Sequence, residues 1–347
     1  MKTEMAHLTL YRKYRPQKFS EVLGQEHITK VLEASIKNKK IAHAYIFSGT
    51  RGTGKTSTAR IFGKELGISS NDMYEIDAAS NRGIDEIRAL REAVHTLPYE
   101  SAYKLYILDE AHMLTKDAWN ALLKTLEEPP PHVLFILATT EASKIPETIH
   151  SRCETYTFKK PTREILKKVL TDIAKKEGYS LPSASAELIT LLAEGSFRDA
   201  ESVLQKVISA SKNKTIEPEE VELVTGAPKS VLLNDFLSAL DGKNSAEALT
   251  TLQKASIQGA DMKIFGKLLL ERMRTILLLR FAKDMETELA EEYTDTDFEV
   301  LKKISKNGQS PINASCLLEF LNAYDMISYS SIPSLPLELA VINLLTK

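Results

Sequence analysis

The stretch that decides the fold is GTRGTGKT, residues 49–56, which directly follows the apolar run AYIF at 44–47. It fits the phosphate-loop pattern G-x-x-x-x-G-K-[ST] in full and adds one further glycine, Gly52. Glycines allow backbone N–H groups to wrap a polyphosphate closely, because they lack a Cβ and reach positive φ. A strand before the loop and a helix after it, over residues 55–65, complete the pattern. The stretch therefore predicts a nucleoside triphosphate site.

Two side chains of the loop have defined roles in that chemistry. Lys55 places an ammonium on the β- and γ-phosphates, and Thr56 offers a hydroxyl to Mg²⁺. The helix that follows points the positive end of its dipole at the same phosphates. The predicted nucleotide-binding residues of the loop are Gly49, Thr50, Arg51, Gly52, Thr53, Gly54, Lys55, Thr56 and Ser57.

The sequence around the loop predicts an α/β domain. Apolar runs at 103–108 and 133–138 alternate with helix-like segments at 81–94 and 119–126, the second of which stops at three prolines. Strands that are apolar on both faces indicate a mostly parallel sheet covered by helices on two sides. We therefore predict a nucleotide-binding domain over residues 1–160.

From residue 161 onward the apolar periodicity is almost wholly helical. The turn signal TGAP at 225–228 divides this part, which predicts one helical domain over 161–226 and another over 227–347. The last of these is expected to contain five helices and no strand. Near the start of the chain, Pro16 disfavours helix for the residue before it and predicts an extended arm.

The composition describes a globular protein of more than one domain. The 347 residues exceed the size of an ordinary single domain, and 43% hydrophobic content allows a substantial core. A net charge of −2 argues against a chain that coats nucleic acid through charge alone. Cys153 and Cys316 are far apart and outside any C-x-x-C pair, so neither a zinc site nor a disulfide framework is expected. With no signal-peptide core and no membrane-spanning run, we expect a cytoplasmic protein without membrane contact.

The apolar run 105–108 ends in two acidic residues, Asp109 and Glu110. A carboxylate at the carboxyl end of a buried strand lies where Mg²⁺ is held, so Asp109 is predicted to hold the metal with Thr56. Glu110 is placed to polarise an attacking water, which favours hydrolysis, and therefore an ATPase, over transfer to another acceptor. A buried strand can also end in acids simply because strand ends are polar. The phosphate loop upstream favours the catalytic interpretation.

Three further residues are candidates for contact with the γ-phosphate. Thr140 follows the run 133–138, Arg152 lies in the tripeptide SRC, and Arg198 lies in GSFRD at the start of a helix that Ser196 is expected to cap. A hydroxyl can sense the phosphate, and a guanidinium stabilises charge that develops in phosphoryl transfer. A threonine leaving a strand and two surface arginines are the alternatives, and spacing alone does not decide between them.

Taken together, these motifs resemble the clamp-loader branch of the AAA+ ATPases, and within that branch the bacterial gamma/tau group. The fragments that carry the resemblance are YRKYRP, FSEVLGQE, the phosphate loop, EIDAASNRGIDEIR, DEAHML, NALLKTLEEPP, LATTE and IPETIHSRC. They are dense from residue 10 to 158 and continue more thinly through GSFRD into LPLELAV at 335–341. Eight fragments in one order are far more specific than any one of them.

The resemblance implies a three-domain subunit with an AAA+ module, a helical lid and a helical collar. Five subunits of different kinds are expected to assemble through the collars into a ring around primer–template DNA, which is contacted through its phosphates. ATP and Mg²⁺ are the implied cofactors, and a sliding clamp is the implied protein partner. ATP binding would then open the clamp, and DNA would trigger hydrolysis.

Further residue roles are implied by the same resemblance. Thr140 matches the first sensor, Arg198 matches the second, and Arg152 matches an arginine finger that acts in trans on the nucleotide of a neighbouring subunit. The arm is implied to contact adenine through Tyr11, Arg15, Pro16, Val22 and Leu23.

The chain departs from this group in one place. Members usually carry a zinc module of four cysteines between the phosphate-loop helix and the EIDAAS strand. Here the same position holds only residues 66–73, which include no cysteine. No zinc is therefore expected.

Two other interpretations remain open at this point. The chain could be a structural or regulatory ring subunit with a vestigial nucleotide site, or an AAA+ motor of the helicase type. The complete set of Lys55, Thr56, Asp109 and Glu110 weighs against a vestigial site. The collar-like end of the chain and the SRC motif weigh against a helicase.

Overall fold

The computed structural model describes residues 8–345. Residues 1–7, on which the signal-peptide expectation partly rests, lie outside that range. The described chain forms two compact units, one of residues 8–166 and 193–202 and the other of residues 167–192 and 203–345. The division into three domains stays a prediction.

A five-stranded parallel sheet forms the centre of the first unit, with the spatial order β2-β3-β4-β1-β5. The three central strands are buried along nearly their whole length, as strands covered on both faces must be. The predicted parallel α/β fold is confirmed. The strands are β1 (Ala44–Ser48), β2 (Met73–Asp77), β3 (Lys104–Asp109), β4 (Val133–Thr139) and β5 (Glu154–Thr157).

Side chains alternate between two cores, one on each face of this sheet. Tyr45 and Phe47 pack with Phe62 on one face, whereas Ile46 packs with Trp119 and the other strands' residues on the opposite face. This is the two-residue period of a strand applied to a sheet that is buried on both sides. The helices of the first unit as far as β5 are α1 (Leu10–Lys13), α2 (Glu26–Lys37), α3 (Lys55–Glu65), α4 (Ile84–Ala93), α5 (Lys116–Glu127) and α6 (Glu147–His150).

Two local predictions in this unit were wrong. The arm is not wholly extended, because residues 10–13 form the single helical turn α1, which ends before the residue that Pro16 restricts. Helix α4 begins at Ile84 and not at residue 81. The cause is a turn after β2, in which the Asp77 carboxylate accepts hydrogen bonds from the Ala79 N–H and the Ser80 hydroxyl.

The second unit is helical, apart from an isolated bridge between Ser180 and Thr215. Seven helices, not the predicted five, lie between residue 230 and residue 345. One of them, α14, has only five residues, which is too short for apolar periodicity to reveal. The helices that follow α6 are α7 (Arg163–Lys176), α8 (Ser183–Leu192), α9 (Phe197–Ala210), α10 (Pro218–Thr225), α11 (Ser230–Asp241), α12 (Ser245–Ile257), α13 (Met262–Phe281), α14 (Glu286–Ala290), α15 (Asp295–Lys306), α16 (Ala314–Ile327) and α17 (Leu335–Leu345).

The composition also led to expectations about membrane-spanning helices and metal sites. Within residues 8–345, none of the helices combines the length and the apolarity that crossing a bilayer requires. In the same range, no three side chains of His, Cys, Asp or Glu are grouped so as to hold a metal ion.

The short connection between α3 and β2 is fixed by a buried carboxylate. Asp72 is fully buried and accepts backbone N–H bonds from Tyr99, Glu100 and Ser101 at 2.5, 3.0 and 2.8 Å. Burial by itself would raise the pKa of Asp72, but these hydrogen bonds outweigh it and bring the pKa to about 2. The carboxylate thus joins the connection at residues 66–73 to the loop before β3.

Replacing Asp72 by asparagine tests this connection. Asp72→Asn is expected to lower the free energy of unfolding by roughly 1–3 kcal/mol, because an amide cannot satisfy three buried N–H donors. Since the folded pKa is lowered, the stabilisation is present above the ordinary value of 3.8 and is lost as the pH falls toward 2. Urea titrations at pH 7 and pH 3 should therefore show a smaller difference from wild type at pH 3.

The matched control is Asp85→Asn, because the Asp85 side chain is 85% exposed and pairs only with the exposed Arg88. It is expected to change the stability by less than about 0.5 kcal/mol. Equal effects of the two substitutions, or a difference that does not depend on pH, would contradict the role of Asp72.

Candidate functional site

Three chain segments meet at the carboxyl edge of the sheet because the central strands are parallel and in register. Ser48 at the end of β1 is paired with Thr139 at the end of β4, and Leu108 of β3 is paired with Leu137 of β4. The phosphate loop, the acidic pair and the residue after β4 therefore leave the sheet side by side. The carboxyl edge of such a sheet is where ligands bind in open α/β folds.

The phosphate loop has the backbone that its glycines allow. Gly52 has φ +74° and lies against Ser196, and its carbonyl accepts a hydrogen bond from the Phe197 N–H at 3.0 Å. A Cβ at Gly52 would lie 2.0 Å from the Ser196 hydroxyl oxygen, so the extra glycine is required by a close approach as well as by φ. Gly54, with φ +101°, precedes the first residue of α3.

The other loop residues divide by exposure. Thr50 and Arg51 are exposed, and Ser57 is half-buried in the first turn of α3. Thr53 is buried, and its hydroxyl donates to the Thr50 carbonyl at 2.9 Å. Backbone N–H groups of such a loop, rather than these side chains, are the ligands of a phosphate chain.

Lys55 is buried inside the loop. Its Nζ donates to the carbonyls of Gly49 and Thr50 at 2.7 and 2.9 Å, and only 6% of the residue is exposed. Burial lowers the pKa of Lys55, and the carboxylates of Glu110 and Asp109 oppose that shift. The ammonium is thus held at the site by carbonyl dipoles, near two acidic side chains.

A line of hydrogen bonds joins the other predicted catalytic residues. The Thr56 hydroxyl donates to Asp109 Oδ2 at 2.8 Å, and Asp109 Oδ1 accepts the Glu110 N–H at 3.0 Å. The Thr140 hydroxyl then donates to Glu110 Oε2 at 3.1 Å. Glu110 itself has φ +49°, a left-handed conformation that is uncommon for a residue with a side chain. The structure therefore brings Thr56, Asp109, Glu110 and Thr140 together.

His112 also belongs to this line, although the sequence patterns did not single it out. Its Nδ1 lies 3.5 Å from Glu110 Oε2 and 3.1 Å from the Thr139 hydroxyl oxygen, and its Nε2 lies 3.4 Å from Glu141 Oε1. The side chain is only 7% exposed. A histidine two residues after the acidic pair was the available signal.

The arm and the start of α9 meet through an aromatic ring. The Arg198 guanidinium lies over the Tyr11 ring, 4.9 Å from its centroid, and Ser196 caps α9 by accepting the Asp199 N–H at 3.2 Å. Hydrogen bonds from Thr9 and then Arg198 lower the pKa of Tyr11. Stacking of this kind stabilises by roughly 0.5–1 kcal/mol at exposed sites. The structure places Arg198 beside the arm, which is a position that sequence spacing could not give.

The other predicted adenine contacts differ in exposure. Val22 is buried in the core, whereas Pro16 and Leu23 are half-buried. Burial and then the charge of Arg60 lower the pKa of Arg15. Glu201, which sequence patterns did not indicate, is buried on α9, and its burial raises its pKa to about 7 against the opposing charge of Arg15.

Arg152 does not join this line of hydrogen bonds in its own chain. It follows α6, where it donates to the Thr148 carbonyl at 2.6 Å and pairs with Glu127 at 2.5 Å. About one third of its side chain remains exposed. This arrangement is that of an ordinary surface ion pair. It also leaves the guanidinium accessible to a second molecule.

The donor set of the site fits a magnesium–nucleotide complex. A hydroxyl at Thr56 and a carboxylate at Asp109 are the hard oxygen ligands that Mg²⁺ takes from proteins, with phosphate oxygens and water completing its shell. The glycine backbone, the N-terminus of α3 and the Lys55 ammonium are complementary to a polyphosphate. This fit rests on the chemistry of the residues present.

Two protein-family models match the sequence. Residues 24–75 and 67–162 match the model described as DNA polymerase III, delta subunit. Residues 216–347 match the model described as domain III of DNA polymerase III subunits gamma and tau.

Relatives along the whole chain carry similar names. "DNA polymerase III subunit tau" of Bacillus subtilis is 39% identical over 363 residues, which cover 98% of this chain and 63% of that protein. "DNA polymerase III subunit gamma/tau" of Mycoplasma genitalium is 36% identical over a match that includes 93% of this chain and 59% of that protein. "DNA polymerase III subunit gamma" of Buchnera aphidicola subsp. Schizaphis graminum is 32% identical over 99% of both chains. This chain thus spans less than two thirds of the first two proteins and nearly all of the third.

Among solved structures, the RuvB Holliday junction branch migration motor of Thermotoga maritima matches with a TM-score of 0.52. The match covers 65% of this chain and 79% of that chain at 21% identity. At this identity the likeness concerns the fold, which is that of an AAA+ module. The predicted AAA+ fold class is confirmed.

The close approach at Gly52 can be separated from its backbone strain. Gly67→Ala places a Cβ at φ +75° but within 4 Å of no described atom, so it is expected to cost about 1–2 kcal/mol of unfolding free energy. Gly52→Ala adds the contact with Ser196 and is expected to cost roughly 1–3 kcal/mol more. Chemical unfolding of both variants gives the comparison.

Combining Gly52→Ala with Ser196→Gly tests the origin of the extra cost. Ser196→Gly alone removes a helix cap, but in the double variant it also removes the clash, so the two changes should be less harmful together than their sum. Strict additivity would mean that Ser196 does not constrain Gly52.

Proposed function

The chain belongs to the gamma/tau family of DNA polymerase III subunits, and we propose that it is an ATP-driven subunit of a clamp loader. In this proposal it opens a sliding clamp and places it on primer–template DNA as one member of a ring of five subunits. The observation that carries the proposal is the hydrogen-bonded line from Thr56 through Asp109 and Glu110 to Thr140. A vestigial nucleotide site would have no reason to keep these four groups in mutual contact.

The proposed cofactors are ATP and Mg²⁺. Thr56 and Asp109 would hold the ion, which would supply positive charge that neutralises the phosphate oxygens. Lys55 would exchange its two carbonyl partners in the loop for the β- and γ-phosphates. The arm, through Tyr11 and Leu23 with its neighbours, would contact the adenine.

Glu110 is the proposed general base. Its carboxylate follows Asp109 at the carboxyl edge of the sheet, and a base there can orient a water for attack on the γ-phosphorus and receive its proton. The Thr140 hydroxyl donates to that carboxylate, so a Thr140 that moves to contact the γ-phosphate would also change the position of the base. Arg198, which stacks on Tyr11, is the proposed second sensor.

Two substitutions separate binding from turnover. Lys55→Ala is expected to abolish ATP binding, because the loop loses its only buried ammonium among the described residues 49–57. Glu110→Gln is expected to bind ATP normally and to lose at least about a hundredfold in turnover, as removal of a general base does. Calorimetry with ATP and a steady-state phosphate-release assay measure the two properties.

Lys64→Ala is the matched control, because Lys64 is an exposed lysine on the same helix, α3. It should leave both properties within about twofold of wild type. Turnover by Glu110→Gln at the wild-type rate would remove Glu110 from the proposed chemistry.

Arg152 is the proposed finger for a neighbouring subunit. In its own chain it is tied to Glu127 and the Thr148 carbonyl, both away from the hydrogen-bonded line that begins at Thr56. A finger in trans stabilises transition-state charge and is worth roughly 10³–10⁵ in turnover where it has been measured. The Glu127 pair would have to open when the neighbour's nucleotide is engaged.

Arg152→Ala should therefore lower hydrolysis only in an assembly. We expect a loss of at least about a hundredfold in the assembled loader and little change in the basal rate of the separate subunit. Phosphate release with and without primed DNA and clamp measures this loss. Arg274→Ala, at an exposed arginine on α13, is the control. Unchanged stimulated turnover in the Arg152→Ala assembly would exclude the finger.

The proposed assembly surface lies on α16 and α17. Eight large apolar side chains on these helices and the segment between them are exposed, which is far more than scattered surface hydrophobics require. Other loader subunits are the proposed partners for this surface, in keeping with the predicted collar. The exposed side chains are Leu318, Leu321, Met326, Tyr329, Ile332, Leu335, Leu339 and Ile342.

DNA contact through phosphates and a cytoplasmic location complete the proposal. The net charge of −2 fits a protein that meets DNA through one face within a ring and not through its whole surface. Binding by this chain should therefore fall with salt and show little dependence on DNA sequence.

A further inference from the structure

The imidazole of His112 lies between two carboxylates, one of which is the proposed general base. We propose that His112 is a positioning residue that fixes the Glu110 carboxylate and ties it to Glu141. This inference rests on the proposed ATP hydrolysis and assigns a role to a residue that does not itself touch the nucleotide. His112 acts through Glu110 alone.

The contacts of His112 use both ring nitrogens. Nδ1 faces Glu110 Oε2 at 3.5 Å and the Thr139 hydroxyl at 3.1 Å, and Nε2 faces Glu141 Oε1 at 3.4 Å. With only 7% of the side chain exposed, the ring has little freedom to turn away from either acid. A ring held at both nitrogens is a rigid spacer between the two carboxylates.

The Glu110 carboxylate needs such a spacer because the glutamate side chain is flexible. A glutamate side chain has several rotatable bonds and loses rotamer entropy when it is held in one conformation. His112 and the Thr140 hydroxyl both meet the same oxygen, Oε2. The carboxylate is thereby held at one edge, and Oε1 is left to act as the base. Fixing a base before the reaction is a recognised source of rate enhancement.

Glu141 can serve as the anchor because it is itself tied down. Its N–H donates to the Thr139 hydroxyl oxygen at 3.0 Å, and its carboxylate pairs with Lys144 at 2.9 Å. Thr139 thus contacts both His112 and Glu141. Glu141 therefore holds the ring at Nε2, while Thr139 and Glu110 both meet it at Nδ1.

Two substitutions of His112 distinguish positioning from filling of space. The amide of asparagine reaches the level of Nδ1, so His112→Asn can keep the contact with Glu110. The longer side chain of glutamine places its amide near the level of Nε2, so His112→Gln keeps the Glu141 side and loses the Glu110 contact. We expect His112→Gln to lower kcat by about tenfold to a hundredfold with the KM for ATP within about twofold of wild type, and His112→Asn to retain most of kcat.

Turnover should be measured in the assembly in which the wild-type chain is active, with thermal unfolding recorded for each variant. His132→Gln is the control, because His132 is bonded to the carbonyls of Val94 and Thr96, at the opposite edge of the sheet. A kcat for His112→Gln within twofold of wild type would overturn the proposal. Equal losses in His112→Asn and His112→Gln would overturn it too, since they would indicate a role in shape only.

A second readout does not depend on hydrolysis. The imidazole ¹⁵N resonances of His112 in the full chain are expected to shift in Glu110→Gln and again in Glu141→Gln. Unchanged resonances would show that the contacts do not exist and would overturn the proposal by themselves. Absence of ATP turnover in the wild type, with shifts present, would instead count against the proposed ATPase and leave the bridge between the carboxylates established.

Discussion

The hydrogen bond between Thr56 and Asp109 is the contact on which the site depends. It joins the helix after the phosphate loop to the end of β3, and it exists because β1, β4 and β3 are parallel neighbours in register. Each strand is buried on both faces, so its register cannot slip without moving large apolar side chains out of a core. Hydrophobic burial of the strands therefore fixes their register, and the register in turn fixes the positions of the site residues at the carboxyl edge of the sheet.

The fold could be predicted largely from patterns that are local in the chain. The loop at 49–56 fixed the order of strand, turn and helix, and the runs 103–108 and 133–138 became β3 and β4. The prediction failed where a side chain competes with the backbone and where a helix is very short. Asp77 closes a turn that delays α4, and the five-residue α14 is too short to show a helical period. Apolar periodicity indicates which residues are buried, but it does not show at which residue a helix begins or ends.

The candidate site was predictable as a set of residue types but not as a set of contacts. Motif spacing predicts Lys55, Thr56 and Asp109. The stacking of Arg198 on Tyr11 and the close approach of Ser196 to Gly52 can be seen only in the folded structure. His112 shows the same limit, because its partners Glu110 and Glu141 are brought to it by two different strands. Arg152 lies outside this constellation, and its pairing with Glu127 is what an in-trans role would have to break.

In the proposed loader, Arg152 of a neighbouring subunit completes the nucleotide site, and a mixing experiment tests this most directly. Glu110→Gln and Arg152→Ala chains, each nearly inactive in its own assembly, should be mixed in equal amounts and shown by native mass measurement to co-assemble. About a quarter of the head-to-tail contacts between two copies of this chain then join an intact Glu110 to an intact Arg152, so the turnover from those contacts should return to about a quarter of its wild-type value. Turnover in a co-assembled mixture no higher than the mean of the two parents would contradict the claim.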